Sequence, residues 1–131
     1  MSKLGHRKFG LFAHVTWHTS RRERSVHAAD VQIVAQSVID AASRNRVHIL
    51  AQAILANHVH VLVSVRPDIP VARFVRDAKS ESARRVNQTC GRHLKWARGY
   101  YAGSLSHSHI PAARVYLAEQ LVHHPELLPA E

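Results

Sequence analysis

Apolar and polar residues alternate in LFAHVTWHT (Leu11 to Thr19), and the stretch is rich in aromatic and β-branched side chains. That pattern predicts a half-buried strand. Ser25 is a candidate N-cap for a helix reaching about Arg44, with Val31, Val34, Ala35, Val38 and Ala42 forming one apolar stripe. Asn45 is a suitable stop. VHILAQAILA (Val47 to Ala56) predicts a second strand, Asn57 a tight connection, and HVHVLVSV (His58 to Val65) a third strand. Pro67 and Pro70 then break the pattern. A helix over about Val71 to Asn87 would pack through Phe74, Ala78, Ser82 and Val86, leaving Arg73, Arg76, Ser80 and Arg84 as a polar row. GYYAGSLS (Gly99 to Ser106) predicts a weaker fourth strand, and Pro111 suits the first turn of a last helix ending near His124. The order β-α-β-β-α-β with an appended helix predicts an α+β, ferredoxin-like fold. Its antiparallel sheet carries helices on one face and leaves the other free for a ligand. No internal repeat or low-complexity segment interrupts the order.

A chain of 131 residues is one domain's worth, able to bury roughly two-thirds of its unfolded surface. A single unit over residues 1–131 is expected, with residues 1–10 as a flexible basic arm and 125–131 as a tail. No apolar run approaches the roughly 20 residues of a membrane span, and the N-terminus has no signal-peptide core. The single Cys90 excludes an intramolecular disulfide and a cysteine-rich zinc site, which suits a reducing, cytoplasmic setting.

Charge changes the picture more. Eighteen Lys and Arg face nine Asp and Glu, for a net charge of +9. Only Lys3, Lys8, Lys79 and Lys95 are lysines. Arginine's planar fork suits phosphate oxygens, so a polyanionic partner is expected, against the plainer reading of a merely basic surface.

Strand periodicity sends His58 and His60 to one face and Val59, Val61 and Val63 to the other. Two neutral imidazoles side by side are a plausible pair of metal ligands. Twelve histidines, however, would generate about one His-x-His by chance, and His107-Ser108-His109 supplies a second pair in a polar loop. In VYLAEQLVHH, Tyr116 and Gln120 share a helix face, with His123 and His124 farther along. Ala113, Leu117 and Leu121 form a neighbouring face suited to packing. Tyr116 as packing and Gln120 as a solvated polar residue is the structural alternative. Asn57 reads as a turn former. Trp96, Tyr100 and Tyr101 could stack on unpaired bases or pack the fourth strand.

Taken together, NHVHVLV, WARGYYAGSLSHS and VYLAEQLVHH resemble, in this order and at these separations, the HUH-type single-tyrosine transposases. These are small insertion-sequence enzymes acting on single-stranded DNA, with REP-associated tyrosine transposases as relatives. HVTW fits the family's first strand, and the resemblance spans about His14 to His124. It departs at Ala56, where a proline is common.

The resemblance implies a ferredoxin-like (RRM-like) fold whose C-terminal helix carries the nucleophile, Tyr116. It implies that His58, His60 and Gln120 hold a divalent metal, Mg²⁺ or Mn²⁺. The implied reaction cleaves and rejoins single-stranded DNA with hairpin ends through a 5′-phosphotyrosine, in a homodimer. Arg73, Arg76, Lys79 and Arg84 are candidate contacts to the DNA backbone. Two other readings stay open. One is a domesticated endonuclease that no longer transposes, the other a non-catalytic RRM-like module binding single strands.

Overall fold

The computed structural model describes residues 10–131. The predicted basic arm therefore lies almost wholly outside the described residues. Four strands, β1 (Leu11–His18), β2 (His48–Ile54), β3 (His58–Val65) and β4 (Tyr101–Leu105), form one sheet in the order β2-β3-β1-β4. Every neighbouring pair is antiparallel. With helices α1 (Val31–Arg44), α2 (Val71–Cys90) and α3 (Ile110–His123), the architecture is the α+β, ferredoxin-like one expected.

Alternation builds the two faces of the sheet. Val15 and Trp17 of β1, with Val59, Val61, Val63 and Val65 of β3, point to one side and are buried. There they meet the stripes of α1 (Val34, Val38, Ala41, Ala42) and α2 (Phe74, Ala78, Val86). Trp17 sits at the centre, edge-on to both Phe74 and Trp96. Packing of β-branched and aromatic side chains on a pleated surface is what favours them in strands.

Two helix boundaries and one packing face differ from expectation. Helix α1 starts at Val31, not after Ser25. Val26 is buried and its N–H donates to Ala56 O at 3.0 Å, and a 3-10 turn over Ala28–Asp30 intervenes before the helix. The cap is instead at Asp30, whose carboxylate accepts the His27 N–H at 2.9 Å and pairs with Arg92 at 3.2 Å. Helix α2 runs on to Cys90 and stops where Gly91 takes a left-handed conformation, φ 64°. Along α3 the expected packing face is narrower: Leu117 is buried, Ala113 is partly buried, and Leu121 is exposed.

The opposite sheet face is only half free, because α3 lies across its β2 side. Three anchors hold it there. Leu117 packs on Ala53, Leu55 and Leu62. Arg114 donates to Leu50 O at 2.6 Å, the carbonyl of the extra residue in a bulge between Ile49 and Ala51. The segment after α3 folds back, so Leu127 O accepts the Ala56 N–H and Ala130 O the Ala28 N–H, each at 2.7 Å. The returning segment is thus tied at Leu127 to the β2–β3 connection and at Ala130 to the stretch before α1.

Candidate active site on the open sheet face

Pairing register decides which side chains meet on this face. His18 lies opposite His58, Thr16 opposite His60, and His14 opposite Leu62. His14, Thr16 and His18 therefore share the face of His58 and His60. His60 is buried and His58 half-buried. Neither His14 nor His18 was singled out from sequence. The signal was present in the alternation HVTWH, whose odd partners Val15 and Trp17 go to the core, but only the register puts them beside His58 and His60.

The hydrogen bonds orient the rings. His58 Nδ1 and Asn57 Oδ1 are 2.7 Å apart, and an amide oxygen only accepts, so the proton is on Nδ1. That leaves the Nε2 lone pair of His58 facing Nε2 of His60, 3.0 Å away. On its other side His60 Nδ1 lies 2.8 Å from His14 Nε2 and 3.3 Å from Thr16 Oγ1. A proton on His60 Nδ1 can be received by His14 there, which frees Nε2 of His60 as well. The residue before His58 thus matters: Asn57 joins the site through its side chain rather than serving only as a turn.

Burial, reinforced by the neighbouring His18, Arg22 and His124, pushes the His58 pKa down to about 4. Burial, followed by His58, His14 and His18, pushes His60 down to about 3. His14 is also lowered by burial, and His18 by burial and then Arg22. At neutral pH these rings are uncharged and available as ligands or hydrogen-bonding groups.

Tyr116 stands at the edge of this cluster. Its ring centroid is 5.9 Å from that of His60 and 6.0 Å from that of His14, both edge-on. It is 47% exposed, so a polymer could reach its hydroxyl. Leu117, the next residue, is the buried anchor of α3, and the helix thereby aims Tyr116 at the histidines. Gln120, one turn on, is half-buried and makes no hydrogen bond among the described residues. His123 is exposed, and His124 pairs with Glu126 at 3.3 Å.

No group of three or more His, Cys, Asp and Glu side chains suited to a metal is found among the described residues. The donor set implied from sequence is of a different kind, two imidazoles and the amide of Gln120. Two ligands at right angles on an octahedral ion, each bonded at about 2.1 Å, lie about 3.0 Å apart. The His58 and His60 Nε2 atoms have that separation, so the spacing of this pair fits such an ion. His14 meets the other nitrogen of His60 and is placed as its partner, not as a third ligand.

The remaining candidates fall elsewhere. Arg73, Arg76 and Arg84 are exposed on the side of α2 turned away from the sheet, with Arg76 3.4 Å from Asp77. Lys79 is engaged: its ammonium donates to Ala97 O at 2.6 Å and Gly99 O at 3.0 Å. Trp96 is a core residue whose Nε1 donates to Ser82 Oγ at 2.9 Å, which removes it as a stacking platform. Tyr101 is 60% exposed, and by its pairing with Thr16 it belongs to the open face. A Cβ at Gly103 would collide with its ring, so the absent side chain is what lets that ring lie there. His107 and His109 are exposed, as expected of a polar loop.

The family model described as "Transposase IS200 like" matches residues 7–120. No curated protein is significantly similar to the chain. Among solved structures, the chain is similar to one from Deinococcus radiodurans assigned as a transposase. The TM-score is 0.68 at 21% identity, over 86% of this chain and 92% of that one. It is also similar to a REP-associated tyrosine transposase bound to a REP hairpin. There the TM-score is 0.70 at 16% identity, over 87% of this chain and 68% of that one.

Proposed function

Because the chain belongs to the IS200-like transposase family, we propose that it cleaves and rejoins single-stranded DNA with Tyr116 as nucleophile. The observation that carries this is the exposed Tyr116 hydroxyl-bearing ring held against His60 and His14 by the Leu117 anchor. A nucleophile for a polymer must be reachable, and packing alone does not explain a half-exposed tyrosine on a helix fixed so firmly.

In the reaction, Tyr116 Oη attacks phosphorus in line, forming a P–O bond as the bond to O3′ breaks. The products are a 5′-phosphotyrosine and a free 3′-OH, and the phenol proton is balanced by the one the 3′-oxygen gains. One phosphoester replaces another, so the 3′-OH of a second strand can reverse the step and complete transfer without ATP. His58, His60 and Gln120 would hold a divalent ion, Mg²⁺ or Mn²⁺. When bound, it supplies positive charge to a non-bridging phosphate oxygen. All three ligands are neutral, so none of that charge is cancelled by the protein. Asn57 and His14 keep the two imidazoles turned with their Nε2 atoms towards each other.

Single-stranded DNA with hairpin ends is the substrate this reading requires. The exposed Arg73, Arg76 and Arg84 supply sequence-independent phosphate contacts for its flanks, and Tyr101 a ring face for an unpaired base. Lys79 would join them only by releasing its two carbonyls. A homodimer acting in the cytoplasm completes the reading, and Val115, Leu121 and Val122 are exposed apolar residues of α3 available to an interface. No described helix is long and apolar enough to cross a membrane.

The test is to mix the protein with labelled single strands from either side of its own gene and Mn²⁺, then run a denaturing gel. A protease-sensitive covalent band that disappears in Tyr116→Phe is expected. Tight binding without any adduct would instead favour the non-catalytic RRM-like module. An adduct with no strand transfer would favour a domesticated endonuclease.

A further inference from the structure

Tyr100 and Tyr101 are consecutive and exposed, and they serve opposite sides of the sheet. Tyr100 is on the helix side, where it lines a cleft with Ala72, Val75 and Ala83 of α2. Tyr101 is on the open face, at the end of the rung that runs from His60 through Thr16 to β4. Among the described residues its ring belongs to neither apolar cluster. Packing therefore does not account for it.

Gly103, two residues on and on the same face, completes the arrangement. Its backbone is not in the left-handed region occupied by Gly91 and Gly99, so chain geometry does not call for glycine there. A glycine inside a strand weakens it and often marks a place where another group comes close to the backbone. Here that group is the Tyr101 ring: a Cβ on Gly103 would sit 3.0 Å from Cζ and closer still to Oη. The ring thus lies along β4 over Gly103. The rest of the face is bounded, because α3 covers its β2 side and Leu105, at the far end of β4, packs in the Leu117 cluster.

We propose that Tyr101, seated over Gly103, is the stacking platform for the base adjoining the scissile phosphate. The inference rests on the transposase reading and gives Tyr101 one particular base of the strand. Neighbouring strands lie about 4.8 Å apart, so Tyr101 is roughly 10 Å from His60 across Thr16. One nucleotide covers such a distance from its phosphate to its base. With α3 on the β2 side, a strand held at His60 and Tyr116 leaves over β1 and β4, where it meets the exposed Tyr101 ring. Stacking on such a ring accepts any base, and the net charge of +9 suits the strand's phosphates. Holding that base holds the phosphate beside it in front of Tyr116. Tyr100 has the same chemistry on the other side of the sheet, which makes it an internal control.

The test uses the full chain carrying Tyr116→Phe, so that the strand stays intact, with Mn²⁺ and a single strand from the gene's flank. A fluorescent purine analogue replaces one nucleotide at a time on either side of the position that the parent cleaves. Binding should quench it most strongly at the adjoining nucleotide. Tyr101→Ala should abolish that quench and weaken binding about tenfold, while Tyr101→Phe keeps both. Gly103→Val should match Tyr101→Ala by displacing the ring, and the two changes together should cost no more than either alone. Tyr100→Ala should alter neither quench nor affinity. A quench that survives Tyr101→Ala, or that Tyr100→Ala removes equally, would overturn the platform. Additive losses in the double variant would show that Gly103 does not act through the ring. A Tyr101-dependent quench on strands that the parent never cleaves would defeat the transposase reading, and with it the placement beside a scissile phosphate. Cleavage by the parent, with normal binding in Tyr101→Ala, would defeat the platform alone.

Discussion

The two faces of the sheet are built from the same strands and are opposite in kind. On one, Val59, Val61 and Val63 are fully buried with Trp17 and Phe74 in a dry, close-packed core. On the other, His58 and His60 alternate with those valines and meet His14, Thr16 and Tyr116 in a polar cluster. The first face is stabilised by area removed from water and tolerates no hole. The second holds desolvated imidazoles, which oppose stability in acid, and it is the face on which the proposed reaction would take place. A residue's consequence here depends on its parity along the strand.

Removing a ring from the polar face should have the largest effect on activity. His60→Ala is expected to abolish Mn²⁺-dependent cleavage on a denaturing gel while leaving the protein folded by circular dichroism. Phe74→Ala on the other face should do the reverse. It should lose about 3–5 kcal/mol of stability by urea unfolding, with Mn²⁺ still bound by the molecules that remain folded. If both substitutions unfold the chain equally, the division of labour between faces is wrong.

Acid sharpens the same contrast. His58 and His60 have folded pKa values below the ordinary 6.5, so the unfolded chain binds more protons between about 6.5 and the folded values. Stability of the metal-free protein should therefore be full above about pH 6.5 and fall as pH is lowered towards 4. The urea midpoint measured across that window should drop in the parent and drop less in His60→Gln. A flat profile in the parent would show that the rings are not held neutral.

A smaller effect separates the basic residues of α2. Lys79 is committed to Ala97 and Gly99, so Lys79→Met should cost about 1 kcal/mol of stability and leave the salt dependence of DNA binding unchanged. Arg84→Gln should leave stability unchanged and lower the slope of log affinity against log salt by about 1. Reversed outcomes would mean that the lysine leaves its carbonyls on binding.

Much of this molecule was legible in one dimension. Strand alternation, the stripes of α1 and α2, and the order of elements predicted the sheet and its helices, because those periods follow from backbone geometry alone. The same periods put His58 and His60 on one face and Tyr116 and Gln120 on another, and the linked motifs pointed to the family that the chain belongs to. Local signals misled where a long-range contact competed with them. Ser25 looks like a cap, but the hydrogen bond from Val26 to Ala56 delays α1 until Asp30. For Trp96 the sequence left stacking and packing both open, and the structure makes it core, since Trp17 and Ser82 converge on it from distant positions.

What sequence by itself determined was the face on which each side chain lies. Only the tertiary structure decided which faces meet. The register of β1 against β3 brings His14 and Thr16 to His60. The bulge at Leu50, the Leu117 anchor and the returning segment at Leu127 swing α3 over the sheet and Tyr116 to the histidines. Periodicity is a property of neighbouring residues. These meetings join residues tens of positions apart, and no local rule encodes the packing that selects them.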